Sequence, residues 1–291
     1  MKILITGSQG QLGTALSKTL ANDILDLVDL PQIDLRSYYP TMEYFEHSRP
    51  ELVIHCAAMT NVDECETHPN DAYQSNVTAT RNVVNGCQKI KAKLVYISTD
   101  YVFDGLNLAP YHEYDNCNPL NVYGKTKLIG EEIVRTHLSQ FYTIRTAWLF
   151  GDNGKNFVQT ILQNIRMKKP LQIVDDQHGN PTYATDLAKA IDRLIRTEAY
   201  GNYHITNEGS CTWYQFTKII AAVVGAEDIH IEPISSTKLN RKAFRPQYSV
   251  LAKNLLTQLG IAMPTYEDAL KRFIRTNHYH LNPKLDLSGD Y

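Results

Sequence analysis

The chain has 291 residues, of which 43% are hydrophobic and 21% are charged, a composition typical of a globular protein that excludes a disordered or fibrous one. Its 29 basic and 31 acidic residues give a formal net charge of -2. The chain therefore has no basic field for nucleic acid or an anionic membrane, and any anionic ligand must be bound by local groups. A chain of this length is near the size at which one core divides into two domains.

The amino terminus and the cysteines indicate the cellular compartment in which the protein is located. The first apolar run breaks at Gly7, too early for a signal-peptide core of ~7 to 15 residues, and no later run approaches the ~20 residues of a membrane span. The five cysteines form no C-x-x-C pair, which argues against a disulfide framework or a zinc ribbon. We expect a cytoplasmic protein with no nucleic-acid or membrane partner.

Short apolar runs alternate with amphipathic runs in the first half of the chain, a pattern typical of strand-helix-strand units around a parallel sheet. The predicted strands are residues 2–6, 24–28, 52–56, 94–98, 142–147 and 203–206. Apolar residues at helical spacing predict helices at 12–20, 73–87, 122–136 and 184–196. The predicted fold class is α/β, with a doubly wound parallel sheet of the Rossmann type and a smaller, discontinuous α/β substrate domain.

The domain boundaries follow from where this pattern loosens. Beyond residue 150 the alternation gives way to a predicted helix near 156–167 and a segment rich in turn residues, and the sheet pattern returns at 184. We assign residues 1–150 and 183–208 to a dinucleotide-binding domain. We assign residues 151–182 and 209–281 to a substrate-binding domain, and residues 282–291 to a flexible tail.

A glycine-rich turn follows the first predicted strand and has the sequence Gly7-Ser8-Gln9-Gly10-Gln11-Leu12-Gly13. Glycines at this point let the backbone approach a diphosphate, and the following helix offers free N–H groups and the positive end of its dipole. The second predicted strand ends in Asp29, where a carboxylate can accept hydrogen bonds from ribose hydroxyls. The pattern predicts a dinucleotide site, with a ligand-free turn and a solvated Asp29 as the alternatives.

A second motif, Tyr123-Gly124-Lys125-Thr126-Lys127, lies on a predicted helix, where residues four apart share a face. A nearby ammonium group and an oxidised nicotinamide would favour the phenolate of Tyr123, whose free pKa is ~10. Thr99 follows Ser98 at the carboxyl end of a predicted strand, where open α/β sheets bind their ligands. Tyr123, Lys127 and Thr99 are therefore the candidate catalytic residues, although an exposed helix face would show the same spacing.

These residues resemble the extended short-chain dehydrogenase/reductase family and, within it, the dTDP-4-dehydrorhamnose reductases. The resemblance extends from residue 7 to residue 250 and includes motifs specific to this branch. The motifs that carry it are Gly10-Gln11-Leu12-Gly13, Ala57-Ala58-Met59-Thr60-Asn61-Val62-Asp63, Ser98-Thr99-Asp100-Tyr101-Val102-Phe103, Pro119-Leu120-Asn121-Val122-Tyr123-Gly124-Lys125-Thr126-Lys127, Arg145-Thr146-Ala147-Trp148, Asp176-Gln177-His178-Gly179-Asn180-Pro181-Thr182 and Arg245-Pro246.

The resemblance implies reduction of a dTDP-sugar at its 4-keto carbon, with a hydride from NADH or NADPH and a proton from Tyr123. Lys127 would contact the nicotinamide ribose, and Thr99 the carbonyl oxygen. The implied cofactor contacts are Gly7, Gly10, Gln11, Leu12, Gly13, Asp29, Asp34, Leu35, Ala57, Ala58, Thr60, Tyr123 and Lys127. The implied substrate contacts are Val62, Thr99, Tyr101, Tyr123, Trp148 and Arg245. Packing is the alternative for Tyr101 and Trp148, a loop clamp is the alternative for Arg245-Pro246, and packing is our expectation for Asn76.

The chain departs from the family pattern at two places, and these concern metal binding and the choice of cofactor. Some family members bind magnesium at a dimer contact through a glutamate on the helix after the glycine turn, but that helix has no acid at Thr14-Ala15-Leu16. We predict no metal, and both a monomer and a weak homodimer are open. Asp29 would repel a 2′-phosphate and no basic residue stands at Ser8 or Gln9, which mildly favours NADH, although members of the family often accept both cofactors.

Two other classes of function compete with a reductase. A nucleotide-sugar epimerase or dehydratase would keep the tyrosine and the lysine, but the dehydratase pairs Asp with Glu, and here Tyr101 follows Asp100. A binding module, such as the regulatory subunit of methionine adenosyltransferase, resembles the same subfamily. The intact Thr99, Tyr123 and Lys127 favour a reductase.

Overall fold

A computed structural model describes residues 1–277 and 279 of the chain. Its strands, in chain order, are β1 Lys2–Thr6, β2 Ile24–Val28, β3 Leu52–His55, β4 Lys93–Thr99, β5 Phe141–Thr146, β6 Leu149–Phe150, β7 Leu171–Val174, β8 His178–Gly179, β9 Thr182–Tyr183, β10 Gly201–His204, β11 Cys211–Thr212 and β12 Ile231–Ile234.

The helices, in chain order, are α1 Gln11–Thr19, α2 Tyr38–Ser48, α3 Val62–Thr67, α4 Pro69–Tyr73, α5 Ala79–Ile90, α6 Val122–His137, α7 Phe157–Arg166, α8 Ala184–Ile195, α9 Trp213–Val223, α10 Asn254–Gln258 and α11 Tyr266–Thr276. Short 3-10 turns occupy Asp100–Val102 and Ser236–Lys238, and a π-helical turn occupies Gln74–Thr78.

The central sheet has six parallel strands in the order β10-β5-β4-β3-β1-β2. All six predicted strands belong to it, which confirms the doubly wound parallel sheet, although individual strand ends differ from the prediction by one or two residues. The strand order reverses beside β1, because β2 lies on one side of it and β3 on the other. Such a reversal opens a crevice at the carboxyl ends of the strands, where ligands of these sheets bind.

Helices cover both faces of the sheet because its strands are apolar on both sides. On one face, α1 and α8 bury residues such as Leu16 and Ile191 against Ile3 and Ile5. On the other, α2, α5 and α6 pack against the same strands, and their core includes Phe45, Val83 and Val134.

A separate apolar cluster forms around α7, α9 and α11 and includes Phe150, Phe216 and Phe273. Short pairs of strands border this cluster. In these pairs β12 lies parallel to β7, β9 lies parallel to β6, and β11 lies antiparallel to β8. This second unit approaches the carboxyl edge of the central sheet, since β6 directly follows β5 and Trp148.

The helix predicted at 73–87 is interrupted by the π-helical turn Gln74–Thr78 before α5 begins. Within that turn the buried Asn76 amide donates to the Met59 carbonyl at 3.1 Å and to Thr126 Oγ1 at 3.0 Å, and its oxygen accepts the Met59 N–H at 2.8 Å. Asn76 thus joins the loop after β3 to α6. The contacts of Asn76 are made with residues distant in the sequence, so helical spacing alone does not predict them. For the same reason, periodicity did not predict that a π-helical turn interrupts this helix.

The predicted tail at 282–291 lies outside the described residues, as do residues 278, 280 and 281 of the predicted substrate domain. Within the part of the chain that is described, no helix is long and apolar enough to cross a membrane. The same residues contain no group of three or more His, Cys, Asp or Glu side chains arranged to hold a metal ion. All five cysteines are free thiols.

Candidate active site

A cavity of about 680 Å³ opens at the carboxyl edge of the central sheet. Its walls come from the turn after β1, the loops after β2, β3, β4 and β5, and the first turns of α6 and α9. Every predicted cofactor and substrate residue lines this cavity except Arg245. The sheet thus brings together predicted residues that are up to 141 positions apart in sequence, from Gly7 to Trp148.

The glycine turn lies at one side of the cavity and is too tight for side chains. Gly7 has φ +66°, and a Cβ atom there would lie 2.7 Å from the Ala57 nitrogen, while a Cβ on Gly13 would lie 2.3 Å from the Gly7 oxygen. Gly10 caps α1 without any side-chain hydrogen bond. The N–H groups of the first turn therefore lack a side-chain partner, and a diphosphate fits this turn.

Two carboxylates mark the adenosine side. Asp29 accepts the Gln9 N–H at 3.0 Å and the Leu30 N–H at 2.9 Å. Asp34 binds the guanidinium of Arg36 through two bonds of 2.8 Å, which lowers the pKa of Asp34. Arg36 also lines the cavity. The sequence pattern did not single out this basic residue, because it lies in the loop after β2, well beyond Ser8 and Gln9 of the glycine turn.

Tyr123 and Lys127 lie one turn apart at the start of α6 and both face the cavity. This helix begins where Asn121 accepts the Gly124 N–H at 2.8 Å, a cap that fixes the position of Tyr123. Lys127 is 3% exposed and its Nζ lies 4.1 Å from the centre of the Tyr96 ring. Burial lowers the pKa of Lys127 to about 7, against an opposing effect of the Glu131 carboxylate.

Burial also raises the pKa of Tyr123, and the neighbouring Thr99 hydroxyl only partly opposes that rise. We expected the Lys127 ammonium to help lower the pKa of this phenol. In the protein itself, burial raises the pKa of Tyr123 more than the charge of Lys127 lowers it, because burial also drives the lysine towards its neutral form. The neutral phenol is the form that can donate a proton.

Thr99 lies at the end of β4, and its hydroxyl is already engaged. Thr99 Oγ1 donates to Asp100 Oδ1 at 3.0 Å and accepts the Tyr101 N–H at 3.2 Å, while Ser249 Oγ donates to Asp100 Oδ2 at 2.5 Å. Asp100 is 2% exposed. Burial raises its pKa to about 6, although the Ser249 and Thr99 hydroxyls oppose that rise.

Beneath the cavity, Ser98 donates to a buried ion pair rather than to a ligand. Its Oγ lies 2.5 Å from Glu131 Oε1, and Glu131 also binds Arg145 Nη2 at 2.7 Å and Nε at 3.0 Å. Glu131 and Arg145 are 5% and 4% exposed. This network ties α6 to β4 and β5 and so supports Lys127, which lies one turn before Glu131.

Aromatic rings form the end of the cavity opposite the glycine turn. Tyr101 packs edge-on against Tyr123 with ring centres 5.9 Å apart, and Trp148 stacks on Trp213 with ring centres 3.4 Å apart. Trp213 begins α9 and was not among the predicted residues, because no local pattern connects it with Trp148. Trp148 itself has φ +46°, a strained backbone conformation for a tryptophan.

Arg245, a predicted substrate residue, does not line the cavity. Its guanidinium binds Asp63 instead, with Nη2 2.8 Å from Oδ2 and Nη1 3.2 Å from Oδ1. Asp63 also accepts the N–H groups of Lys242 and Ala243. The hydrogen bond from Arg245 is the main reason that the pKa of Asp63 falls to about 2. The pair holds the segment 242–245 against α3.

This arrangement is shared with known proteins. The family described as the RmlD substrate binding domain matches residues 1–279. The chain belongs to this family. It is 36% identical over 276 residues to the spore coat polysaccharide biosynthesis protein SpsK of Bacillus subtilis, an alignment that covers 94% of this chain and 97% of the relative.

Two solved structures resemble the chain closely. A dTDP-4-dehydrorhamnose reductase from Clostridium acetobutylicum has a TM-score of 0.93 and 37% identity, over 96% of this chain and 100% of that one. A dTDP-4-dehydrorhamnose reductase from Bacillus anthracis, solved in complex with NADP, has a TM-score of 0.92 and 37% identity, over 94% of this chain and 99% of that one. The likeness to the RmlD family therefore spans the central sheet and the second unit.

Proposed function

We propose that the protein reduces the 4-keto group of dTDP-4-dehydro-L-rhamnose to give dTDP-L-rhamnose, with a hydride from NADPH or NADH. The observation that carries this proposal is one cavity that joins the glycine turn to Thr99, Tyr123 and Lys127. The names of the two solved relatives, and the NADP bound to one of them, support the same reaction and cofactor.

The dinucleotide would lie along the edge of the sheet, and it supplies the hydride. The turn of Gly7, Gly10 and Gly13 would receive its diphosphate, together with the backbone of Gln11 and Leu12. Asp29, Asp34 and Leu35 would face the adenosine. Ala57, Ala58 and Thr60, from the loop after β3, line the cavity between the two ends and would contact the middle of the cofactor.

The chain's own residues would manage the proton. Tyr123 holds its phenolic proton because burial raises its pKa, and it would give that proton to the carbonyl oxygen as the hydride reaches the carbon. Lys127, on the same face of α6, would bind the nicotinamide ribose and hold it beside Tyr123. Thr99 would contact the same oxygen.

The aromatic end of the cavity would receive the sugar. Tyr101, Trp148 and Val62 would form its walls, with Trp213 added by the structure. We further propose that residues 1–150 and 183–208 hold the dinucleotide and that residues 151–182 and 209–281 complete the sugar site. The pairing of β10 with β5 and the contribution of Trp213 to the cavity support this division.

Arg245 retains its proposed role in substrate binding only through movement, because its guanidinium is engaged by Asp63. A substrate diphosphate would have to draw the guanidinium towards the cavity, and it would either displace that carboxylate or bind the N–H groups that Arg245 does not donate to Asp63. We also propose a cytoplasmic location, which the five free thiols support because a reducing compartment keeps thiols free.

The test supplies dTDP-4-dehydro-L-rhamnose with NADPH, and separately with NADH, and follows the absorbance of the reduced nicotinamide. We expect loss of absorbance that requires the sugar. An epimerase would convert a nucleotide sugar without net consumption of reduced cofactor. A binding module would bind the dinucleotide in calorimetry yet consume none. Either result would overturn the proposed reaction.

A further inference from the structure

The Thr99 hydroxyl has one hydrogen to donate, and in this structure that hydrogen is directed at Asp100. A hydroxyl that donates to a carboxylate presents only lone pairs elsewhere. A ketone oxygen also presents only lone pairs, so the two cannot form a hydrogen bond in this orientation. Contact between Thr99 and a ketone therefore requires that Thr99 turn its hydrogen away from Asp100.

We propose that Asp100, held by Ser249, is a positioning residue that sets the direction of the Thr99 hydroxyl, and that Thr99 donates to the ketone oxygen only when Asp100 is protonated. A protonated Asp100 can donate to Thr99 Oγ1, which frees the Thr99 hydrogen for the substrate. An ionised Asp100 keeps that hydrogen. This inference rests on the proposed reductase function. It adds Asp100 to the residues on which the reaction depends, beside Thr99, Tyr123 and Lys127.

The surroundings of Asp100 make this exchange of hydrogen-bond direction possible. Within residues 1–277 and 279 its carboxyl group has the Ser249 and Thr99 hydroxyls as side-chain partners and no cation in an ion pair. A salt bridge would have fixed it in the ionised form. Burial instead brings its pKa to about 6, so that both forms are accessible near neutral pH.

Other titratable groups surround the site, and of these Lys127, with a pKa of about 7, titrates in the same pH range as Asp100. Tyr101 follows Asp100 in the chain, and Tyr123 faces it from α6, with Lys127 one turn farther on. From the segment that carries Ser249, the positive charges of Arg241 and Arg245 act on Tyr101 and Asp63. None of these cations is bonded to the Asp100 carboxyl group.

The proton on Asp100 is not consumed. The ketone gains a hydride at carbon from the reduced nicotinamide and a proton at oxygen from Tyr123, and the phenol is later reprotonated from solvent. Asp100 keeps its proton throughout and changes only which atom the Thr99 hydrogen faces.

The test is the pH dependence of kcat/KM for the sugar between pH 5 and 8.5 at saturating NADPH. In the unmodified enzyme we expect kcat/KM to fall about tenfold per pH unit above the Asp100 pKa. Ser249→Ala removes a hydrogen bond that stabilises the carboxylate, so the inflection should move up by about one pH unit. At pH 7.5 this variant should therefore be several-fold more active than the unmodified enzyme.

Asp100→Asn is the second variant. An asparagine amide can accept from Ser249 with its oxygen and donate to Thr99 with its nitrogen, which imitates the protonated acid at every pH. The inflection that Asp100 causes in the pH profile of kcat/KM should therefore disappear in this variant. Lys127 titrates in every variant, so the comparison between variants isolates Asp100.

Ser235→Ala is the matched control. Ser235 Oγ donates to Asp176 Oδ2 at 2.8 Å, the same kind of bond, and neither residue lines the cavity. This variant should keep the pH profile of the unmodified enzyme. Thermal melts of all variants report whether they fold.

A purely structural role for the pair predicts that Ser249→Ala lowers kcat/KM by the same factor at every pH, and that outcome would overturn the inference. An unmoved inflection would overturn it as well. Failure of the unmodified enzyme to reduce the sugar at any pH would contradict the proposed function itself, whereas reduction without the predicted shift contradicts only the role of Asp100.

Discussion

At the scale of single residues, the phenol of Tyr123 is the group whose loss should be felt most. Tyr123→Phe keeps the ring and its edge-on packing against Tyr101 but removes the proton donor. We expect kcat to fall by ~10² to 10⁴-fold, with unchanged affinity for NADPH in calorimetry. Turnover close to that of the unmodified enzyme would show that another group donates the proton.

Arg36 is expected to discriminate between the two cofactors. Its guanidinium already binds the Asp34 carboxylate on the adenosine side of the cavity, and a 2′-phosphate is a second anion of suitable chemistry for it. Arg36→Ala should raise KM for NADPH about tenfold and leave KM for NADH nearly unchanged. The matched control is Arg135→Ala, which breaks another exposed pair, with Glu132, outside this cavity. Equal effects on both cofactors would refute the assignment.

At the scale of elements, β8 sets the position of a cavity wall. A Cβ atom on Gly179 would lie 2.5 Å from Trp148 Cε2, so Gly179→Ala must displace the indole and disturb its stack on Trp213. We expect KM for the sugar to rise about tenfold or more, because the wall moves, while NADPH affinity is unchanged.

A double-variant cycle separates this effect from general damage. In a Trp148→Ala background the indole is absent, so Gly179→Ala should add little. A similar loss of sugar affinity from Gly179→Ala in both backgrounds would mean that the glycine acts through something other than Trp148.

The elements themselves were largely predictable, because apolar runs and helical spacing record which faces are buried. The sequence predicted all six strands of the central sheet and placed Tyr123 and Lys127 on one helix face. It could not predict the partnership of Trp148 with Trp213, or of Asp100 with Ser249, since each pair is joined only by tertiary packing. The engagement of Arg245 by Asp63 was missed for the same reason.

At the scale of the whole molecule, two buried histidines should make stability depend on pH. Burial, reinforced by nearby positive charges, lowers the pKa of His55 and of His204 to about 3. In the unfolded chain both would titrate near ~6.5. As pH falls from 6.5 towards 3, the unfolded state takes up protons that the folded state does not, so stability is lost.

Asp100 acts in the opposite direction. Its folded pKa of about 6 lies above the ordinary value of 3.8, so it adds stability to the folded protein as pH falls through that window, but one carboxyl group opposes two imidazoles. We expect Tm at pH 5 to be lower than at pH 7 by about 5 °C or more. His55→Gln should reduce this difference, and the exposed His47→Gln should not. A Tm that is equal at both pH values would contradict this account.

The helix α1 has no acidic residue in its first turn, and magnesium prefers carboxylate oxygens. We therefore expect EDTA to change neither the turnover nor the oligomeric state of the purified protein, as measured by absorbance and light scattering. Dissociation or inactivation by EDTA would reveal a metal site that the described residues do not show.

The stack of Trp148 on Trp213 also has an optical consequence. These are the two tryptophans of the chain. Both line the cavity, and the centres of their rings are 3.4 Å apart. All indole emission from this protein therefore originates at the sugar end of the cavity. Excitation at the red edge, where the tyrosines do not absorb, would report on ligand entry there without any attached dye.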